Sequence, residues 1–275
     1  MPAQTLSVAG PVIPGQDLVA TLITSGPLED VAAALVRTEH YRRKGEREML
    51  DGSNNTSAAE DAVDLLMYAA PVASTDEIEV QVVETIELGA VEGTREFRLR
   101  VPADAEPSAP DLIEWGLRVI RDGHAEVPVE VTTTPANADA AKHDGTGDDA
   151  PWISARVPGG VLAVARGQRL SGAVVLEPTK GGSLTGVRVA VIRMHSDDVG
   201  SREETQVAAA QVSGPLDLEA GMRQELAFAL DIPADTPPTC VTTHNARHYW
   251  LQITAARRLR KDARNVVRLY VAAAR

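Results

Sequence analysis

The chain has one cysteine and few aromatic residues, and both shortages limit what it can be. A single thiol, Cys240, among 275 residues excludes an intramolecular disulfide and a multi-cysteine zinc site. Phe, Trp and Tyr together make up 3% of the residues, so a core must be built from Val, Leu, Ile and Ala. The same shortage counts against a carbohydrate site made of stacked rings.

Long apolar runs are also missing. No stretch approaches the roughly 20 consecutive apolar residues that span a bilayer. The first six residues lack the basic start and the continuous apolar segment of a signal peptide. We therefore expect a cytoplasmic protein without a transmembrane segment.

The charge balance is acidic, with 39 acidic and 27 basic residues and a formal net charge of −12. Such a balance opposes non-specific attachment to DNA or to an anionic membrane surface. Hydrophobic residues account for 44% and charged residues for 24%, as in ordinary globular proteins, so wholesale disorder is not expected. Nucleic acid is therefore not among the expected partners.

Strand-like alternation dominates the chain. From Glu77 to Leu88 it places Ile78, Val80, Val82, Ile86 and Leu88 on one face. Val83 and Glu84 invert the pattern for one pair, which predicts a β-bulge or a change of the buried side. Further predicted strands are Leu18–Thr24, Val31–Thr38, Ala62–Tyr68, Arg95–Val101, Ile113–Arg121, Val127–Thr133, Trp152–Val157, Leu170–Leu176, Val187–His195, Thr205–Val212, Met222–Ile232, Tyr249–Ala256 and Val266–Ala272.

Two polar segments interrupt these strands. Residues Pro135 to Asp149 are acidic, contain Gly and lack a period, as is typical of a linker. We therefore predict domains at 1–134 and 151–275, joined by a linker at 135–150. The second segment, Arg42 to Glu60, is predicted to be a long loop within the first domain.

The two halves repeat one unit. Phe97-Arg-Leu-Arg-Val-Pro-Ala-Asp104 matches Phe228-Ala-Leu-Asp-Ile-Pro-Ala-Asp235, 131 positions later (228 minus 97). An aromatic-led strand follows each copy, Trp115-Gly-Leu-Arg-Val119 and Tyr249-Trp-Leu-Gln-Ile253. The proline ends strand pairing where the chain leaves the sheet. An internal duplication of an all-β unit is the strongest pattern in the sequence.

The repeated unit resembles the arrestin family. Each domain of that family carries an alternating strand from Phe to a closing Pro, a Pro-Pro-Ser/Thr turn and a Tyr-x-Leu-x-Ala strand. Here the turns read Pro107-Ser108 and Pro237-Pro238-Thr239. Within the superfamily the resemblance is greatest to the bacterial sporulation-control branch. It implies two seven-stranded, immunoglobulin-like antiparallel β-sandwiches in tandem, acting as an adaptor or scaffold.

Catalytic motifs are not found in the sequence. There is no phosphate-binding P-loop and no Gly-x-Ser-x-Gly elbow, and the segment Gly181 to Thr185 is better interpreted as a hairpin turn. Cys240, His244 and His248 are spaced by four, but strand geometry separates residues at that spacing by roughly 13 Å. We expect solvated loop histidines, no metal, no cofactor and no enzyme activity.

Two acidic loops offer an alternative function. Asp51 to Thr56 and Asp144 to Asp149 carry oxygen ligands, but neither has the ligand spacing of a calcium loop. A β-sandwich that binds Ca²⁺ or carbohydrate therefore stays open as an alternative, as does a structural subunit of a larger assembly.

Two basic clusters interrupt the acidic average. The first consists of Arg37, His40, Arg42, Arg43, Lys44 and Arg47; the second consists of Arg257, Arg258, Arg260, Lys261, Arg264 and Arg268. Such clusters can simply keep hairpin rims solvated and unpaired. They can also dock an acidic or phosphorylated protein, because arginine binds phosphate through two hydrogen bonds.

The sequence favours a non-enzymatic, arrestin-like adaptor that binds a protein partner in a bacterial stress or developmental pathway. The residues predicted to contact that partner are Arg257, Arg258, Arg260, Lys261, Arg264, Arg42, Arg43 and Lys44. Strand addition at an exposed sheet edge is a second expected mode of binding, and it also allows a homo-oligomer.

Overall fold

A computed structural model describes residues 3–44, 74–120, 125–137, 147–148, 150–158, 162–258 and 260–273. Seventeen strands and one 3-10 turn, Pro135–Asn137, occur in these ranges. The strands are β1 (Gln4–Val8), β2 (Asp17–Lys44), β3 (Ser74–Arg100), β4 (Ile113–Ile120), β5 (Glu126–Val129), β6 (Gly147–Asp148), β7 (Ile153–Arg156), β8 (Ala163–Ala165), β9 (Arg169–Leu176), β10 (Gly182–Leu184), β11 (Gly186–Asp197), β12 (Arg202–Ser213), β13 (Leu216–Leu218), β14 (Gln224–Asp231), β15 (Cys240–Val241), β16 (Asn245–Ala256) and β17 (Ala263–Ala272).

The strands surround two separate hydrophobic cores, which confirms the all-β prediction. A five-stranded sheet, β1-β2-β4-β5 with β3 paired to β2, encloses the first core, which includes Phe97. Sheets β12-β11-β16-β17-β6 and β14-β9-β7 enclose the second, which includes Phe228. Both phenylalanines are 6% exposed. The leading phenylalanine of each copy of the motif is therefore buried in a core of its own.

β2 and β3 are longer than the sequence predicted, because each joins two predicted strands into one. Their pairing shifts register several times between Thr24 and Ala32, where Asp30 has a φ of 52° and Gly89 a φ of 66°. Residues before and after this region line the same core. Counted as halves, β2 and β3 bring the first unit to the seven strands that the resemblance implied.

The predicted inversion at Val83 is a β-bulge. Leu35 pairs with Glu84 and Val36 pairs with Val82, so Val83 is the extra residue on β3. Before the bulge the apolar face points to solvent: Ile78, Val80 and Val82 are 63%, 51% and 58% exposed.

Several sequence predictions fall outside the described residues or need correction. The predicted strand Ala62–Tyr68 and most of the predicted loop Arg42–Glu60 lie outside the described residues, although β2 continues to Lys44. Gly147–Asp148, assigned to the linker, pairs with β17. Gly182–Leu184 is a short strand, β10, and not only a turn, because it pairs with β13.

The duplication extends to the turns that precede the paired strands. Gly15 and Gly167 both have positive φ, 82° and 74°. Gly15 donates its N–H to Val101 O at 3.1 Å, and Gly167 donates to Ile232 O at 3.0 Å. Only a residue without a side chain adopts this backbone conformation without strain. Val101 and Ile232 are the residues before the closing prolines of the repeated motif.

The aromatic residues that lead the next strand are also equivalent. Trp115 and Tyr249 are buried. The polar atom of each side chain donates a hydrogen bond to a backbone carbonyl in the turn before its strand. Trp115 Nε1 donates to Glu106 O at 3.1 Å, and the Tyr249 hydroxyl donates to Pro237 O at 2.5 Å. Buried Trp and Tyr usually satisfy their polar atoms in this way. The two acceptors are again 131 positions apart (237 minus 106).

One position distinguishes the two cores and generates a stability prediction. Phe228 pairs with Gly172, whereas Phe97 pairs with Ala20. A Cβ atom on Gly172 would lie 2.5 Å from Arg156 O and 2.8 Å from Phe228 Cζ. We expect Gly172→Ala to lower the free energy of unfolding by about 1–3 kcal/mol through overpacking.

Urea denaturation measures this loss. The matched control is Gly214→Ala, because no atom lies within 4 Å of a Cβ placed there. Equal stabilities of the two variants would contradict the close packing of Phe228 on β9.

Candidate functional site

A fully buried carboxylate on β2 lies where the two halves of the chain meet. Glu39 is 0% exposed and forms an ion pair with Arg37, whose Nη2 lies 3.0 Å from Glu39 Oε2. Arg37 Nε lies 3.3 Å from Glu106 Oε2. The assignment of Arg37 to a surface basic cluster is therefore wrong. Its neighbours along β2 alternate sides, and its own side lines the core.

The second half of the chain supplies the remaining donors to Glu39. The Thr242 hydroxyl donates to Glu39 Oε1, and the His244 N–H donates to the same oxygen at 3.0 Å. Asn245 Nδ2 donates to the backbone carbonyl of His40 at 3.0 Å. Burial raises the pKa of Glu39, but the bonds from Thr242, His244 and Arg37 outweigh it, and the net pKa is lowered. The carboxylate is therefore held charged.

His244 joins the same junction through its ring. The imidazole stacks on Tyr41 with centroids 3.9 Å apart and planes 14° apart. Its Nδ1 lies 2.5 Å from Asp198 Oδ2, and its Nε2 lies 3.2 Å from Glu79 Oε2. The hydrogen bond to Asp198, followed by that to Glu79, raises the pKa of His244. Both ring nitrogens face carboxylates, and only imidazolium can donate from both.

His244 lies in the turn between β15 and β16, as predicted, but it is not simply solvated, because its side chain is 21% exposed and both ring nitrogens contact carboxylates. Its partners come from β3 and from the β11–β12 turn, which the local sequence does not reveal. Cys240 is free and packs into the first core, where burial raises the pKa of its thiol to about 12. Among the described residues, no group of three or more His, Cys, Asp or Glu side chains is placed to hold a metal ion.

A second ion pair reinforces the junction. Arg247, 3% exposed on β16, pairs with Asp111 of the first half. Together, Glu39, Tyr41, Glu79 and Asp111 from the first half and Thr242, His244, Asn245 and Arg247 from the second form what we call the inter-core clasp. It binds the two cores through hydrogen bonds and ion pairs between chain segments more than 130 residues apart.

The second basic cluster lies at the β16–β17 turn and borders a cavity of about 500 Å³. Its lining includes Arg257, Arg258 and Arg260 from this turn and Lys180, Gly181 and Ser183 from the segment between β9 and the end of β10. The Arg257 guanidinium lies 5.1 Å from the ring centroid of Trp152, a cation–π distance. We call this surface the basic cavity.

Three cations at the basic cavity have no ion-pair partner among the residues that the structure describes. Within the described ranges, Lys180, Arg258 and Arg260 form no ion pair, and all three are exposed. Asp262 in the same turn accepts a hydrogen bond from the Arg257 backbone N–H at 3.2 Å. Lys261 and Arg264 are exposed beside the cavity and do not line it. Sequence analysis missed Lys180 and Trp152, because they come from distant turns.

The first basic cluster is different, since carboxylates of β3 neutralise it. Arg42 Nε lies 3.9 Å from Asp76 Oδ1, and Arg43 Nη1 lies 3.7 Å from Glu77 Oε2. Lys44 is the last residue of β2, and Arg47 lies outside the described residues. Arg268, assigned to the second cluster, instead covers Trp250 at 5.6 Å on the face of the sheet.

Comparison with known proteins gives a structural likeness and no family assignment. No family model matches the chain, and no curated protein matches it. A crystal structure of Spo0M, a sporulation control protein from Bacillus subtilis, is similar with a TM-score of 0.38 and 16% identity. The match covers 44% of this chain and 49% of that one, so it spans about half the length of the solved protein. No helix in the described residues is long and apolar enough to cross a membrane.

The clasp predicts a large cost for removing Glu39. Glu39→Ala leaves the Arg37 charge without its closest partner and removes the carboxylate oxygen that accepts from both the Thr242 hydroxyl and the His244 amide. Breaking a buried ion pair of this kind costs about 3–5 kcal/mol. We expect the free energy of unfolding to fall by that amount in chemical denaturation. The control, Glu114→Ala, removes a carboxylate that is 57% exposed and should stay within about 0.5 kcal/mol of the parent.

The clasp also predicts pH-dependent stability through His244. Because its pKa is raised in the folded state, its contribution is fully present below about pH 6.5, the unfolded value. The contribution disappears as the pH rises through the folded pKa. His244→Gln should therefore be less stable than the parent by up to about 1 kcal/mol at pH 6, and the gap should narrow by pH 9.

Thermal and urea unfolding at both pH values test this expectation. Tyr41→Phe is the control, since it keeps the ring stack and both carboxylates around His244. Its stability deficit should not change between pH 6 and pH 9. A His244→Gln deficit that is the same at both pH values argues against an ionised His244.

Proposed function

We propose that the protein is a non-enzymatic, arrestin-like adaptor that docks an acidic or phosphorylated protein at the basic cavity. The observation that carries this proposal is the set of cations Lys180, Arg258 and Arg260 around one concave surface without carboxylate partners among the described residues. On a chain with a net charge of −12, such a concentration of unpaired positive charge attracts anionic groups.

The chemistry of the cavity suits carboxylate or phosphoryl oxygens. Arginine presents a planar fork that binds two oxygens at once, and lysine adds a point charge. The Ser183 and Thr179 side chains line the same cavity and can donate hydroxyl hydrogen bonds. Stacking on Trp152 orders the Arg257 guanidinium before a partner arrives, which lowers the entropic cost of binding.

The proposal extends to the whole chain. Two domains, 1–134 and 151–275, would act as one scaffold because the inter-core clasp links them, and Lys261 and Arg264 would extend the docking surface beyond the cavity. Arg42, Arg43 and Lys44 would play a smaller part, since Asp76 and Glu77 already pair with the two arginines. We place this adaptor in the cytoplasm, in regulation of a bacterial stress or developmental pathway.

The arginines of the β16–β17 turn provide the test. Replacing Arg257, Arg258 and Arg260 with Ser should weaken binding of a labelled eight-residue glutamate peptide and of a phosphoserine peptide at least tenfold at low salt. The parent's affinity should fall steeply with salt, and the variant's should fall much less, because each cation contributes a screened interaction. Fluorescence anisotropy over a salt series measures both slopes.

The control variant replaces Arg42 and Arg43 with Ser, which removes charges that already have carboxylate partners. It should keep nearly the parent affinity. Equal affinity and equal salt dependence of the parent and the triple variant would remove the basic cavity from consideration. The same variants, used in a cross-linking pull-down from the native cell, would identify the partner once the peptide result is positive.

A further inference from the structure

Among the described residues, β3 lies at the edge of its sheet. In the described part of the chain it pairs with β2 on one side and with no strand on the other. An unpaired edge presents a row of backbone N–H and C=O groups that can pair with another strand. Proteins usually protect such edges with charges or bulges. On β3 the bulge at Val83 leaves the segment before it, up to Val82, as a regular ladder with β2.

That segment carries the most exposed apolar side chains of the described residues. Ile78, Val80 and Val82 are 63%, 51% and 58% exposed and alternate along one face. The opposite face has a different role, since Glu77 accepts a hydrogen bond from Tyr41 and Glu79 contacts His244. The apolar stripe is therefore separate from the inter-core clasp and has no cover in the described structure.

We propose that this edge binds a second copy of the same chain, by antiparallel pairing of β3 with β3 about a two-fold axis at Val80. In this register Val80 lies opposite Val80 of the partner subunit, and Ile78 lies opposite Val82 of the partner subunit. All three side chains of both copies then form one continuous apolar face. A two-fold axis makes such contacts reciprocal, so one stripe completes the other.

Charge distribution selects this register among its neighbours. With the axis at Val80, Glu79 lies opposite Gln81 of the partner subunit, and no two carboxylates oppose each other between Glu77 and Val83. With the axis at Glu79, two carboxylates would face each other directly, which destabilises a strand pair. With the axis at Gln81, Ile78 would face Glu84 of the partner subunit. The bulge at Val83 ends the ladder symmetrically, three residues from the axis.

The proposed interface is small, below the roughly 1,200 Å² of stable complexes, so we expect a reversible dimer. Sedimentation velocity from 1 to 300 μM should show the 29.2 kDa chain approaching twice that mass as its concentration rises. Val80→Lys places two ammonium groups opposite each other and should give a monomer at every concentration. Met222→Lys is the control, because Met222 is 45% exposed in the turn between β13 and β14 of the second half, and this variant should dimerise like the parent.

A charge-pair rescue tests the register. Ile78→Lys and Val82→Glu should each weaken the dimer at least tenfold, since a charge then faces an apolar partner. The double variant places Lys opposite Glu twice about the axis and should recover much of the dimer, in a salt-dependent way. Failure of the double variant to dimerise better than either single variant overturns the register.

A thiol at the axis gives a readout that does not depend on affinity. Val80→Cys places two thiols at opposed strand positions, where Cα separations allow a disulfide. Mild oxidation should give a covalent dimer, whereas Ile23→Cys, also exposed at 46%, should not. The native Cys240 is buried and does not interfere.

The proposal is overturned by a parent that stays monomeric at 300 μM, by a dimer that survives Val80→Lys, or by a Val80→Cys chain that forms no disulfide. Slow reaction of the introduced thiol with a maleimide, in a monomeric chain, would show that another part of the same chain covers the stripe. That result also overturns the proposal. None of these outcomes depends on the basic cavity.

Discussion

The Glu39 carboxylate is charged and has no access to water, so the protein must surround it with donors. β2 provides one of them, Arg37, and the others come from Thr242 and His244, more than 200 residues later. A buried charge is costly unless its lone pairs are satisfied. Separating the two halves of the chain would therefore expose the Glu39 carboxylate or leave it without hydrogen-bond donors. The same close contact between the β15–β16 segment and the first half also stacks His244 on Tyr41 and buries Cys240 in the first core.

The duplicated unit explains why the two cores are similar. The differences between its two copies explain what each half contributes. In both copies a hydroxyl on the turn accepts a backbone hydrogen bond from near the end of the copy. Ser108 Oγ accepts from the N–H of Val131, just after β5, and Thr239 Oγ1 accepts from the N–H of Val271 on β17, both at 2.9 Å. The first copy has two long strands, β2 and β3, and in the described residues β3 has no strand on its outer side. The second copy divides the same region into shorter strands and builds a concave basic surface at their turns.

The sequence predicted what depends on local pattern and missed what depends on distant partners. Alternation predicted most strands, the bulge at Val83 and the all-β class, because pleating imposes a period of two. It did not show that Ile78, Val80 and Val82 face solvent, since alternation marks a face without saying what covers it. It also assigned Arg37 and His244 to solvated clusters. Arg37 pairs with Glu39 two positions along β2, but its second partner, Glu106, is 69 positions away. The partners of His244, Asp198 and Glu79, are 46 and 165 positions away.

The contrast between the two basic clusters shows how pairing determines the role of an arginine. Arg42 pairs with Asp76 on the neighbouring strand, and Glu77, the next residue, lies 3.7 Å from Arg43, so each arginine has a carboxylate close to it within the sheet. In the described part of the chain no carboxylate forms an ion pair with Arg258 or Arg260 of the β16–β17 turn or with Lys180 of the β9–β10 turn, and all three line one cavity. A cation that already has an ion-pair partner within the protein contributes little electrostatic potential for attracting a binding partner. The positive charge without an ion-pair partner at the basic cavity is therefore more significant for binding than the number of arginines in either cluster.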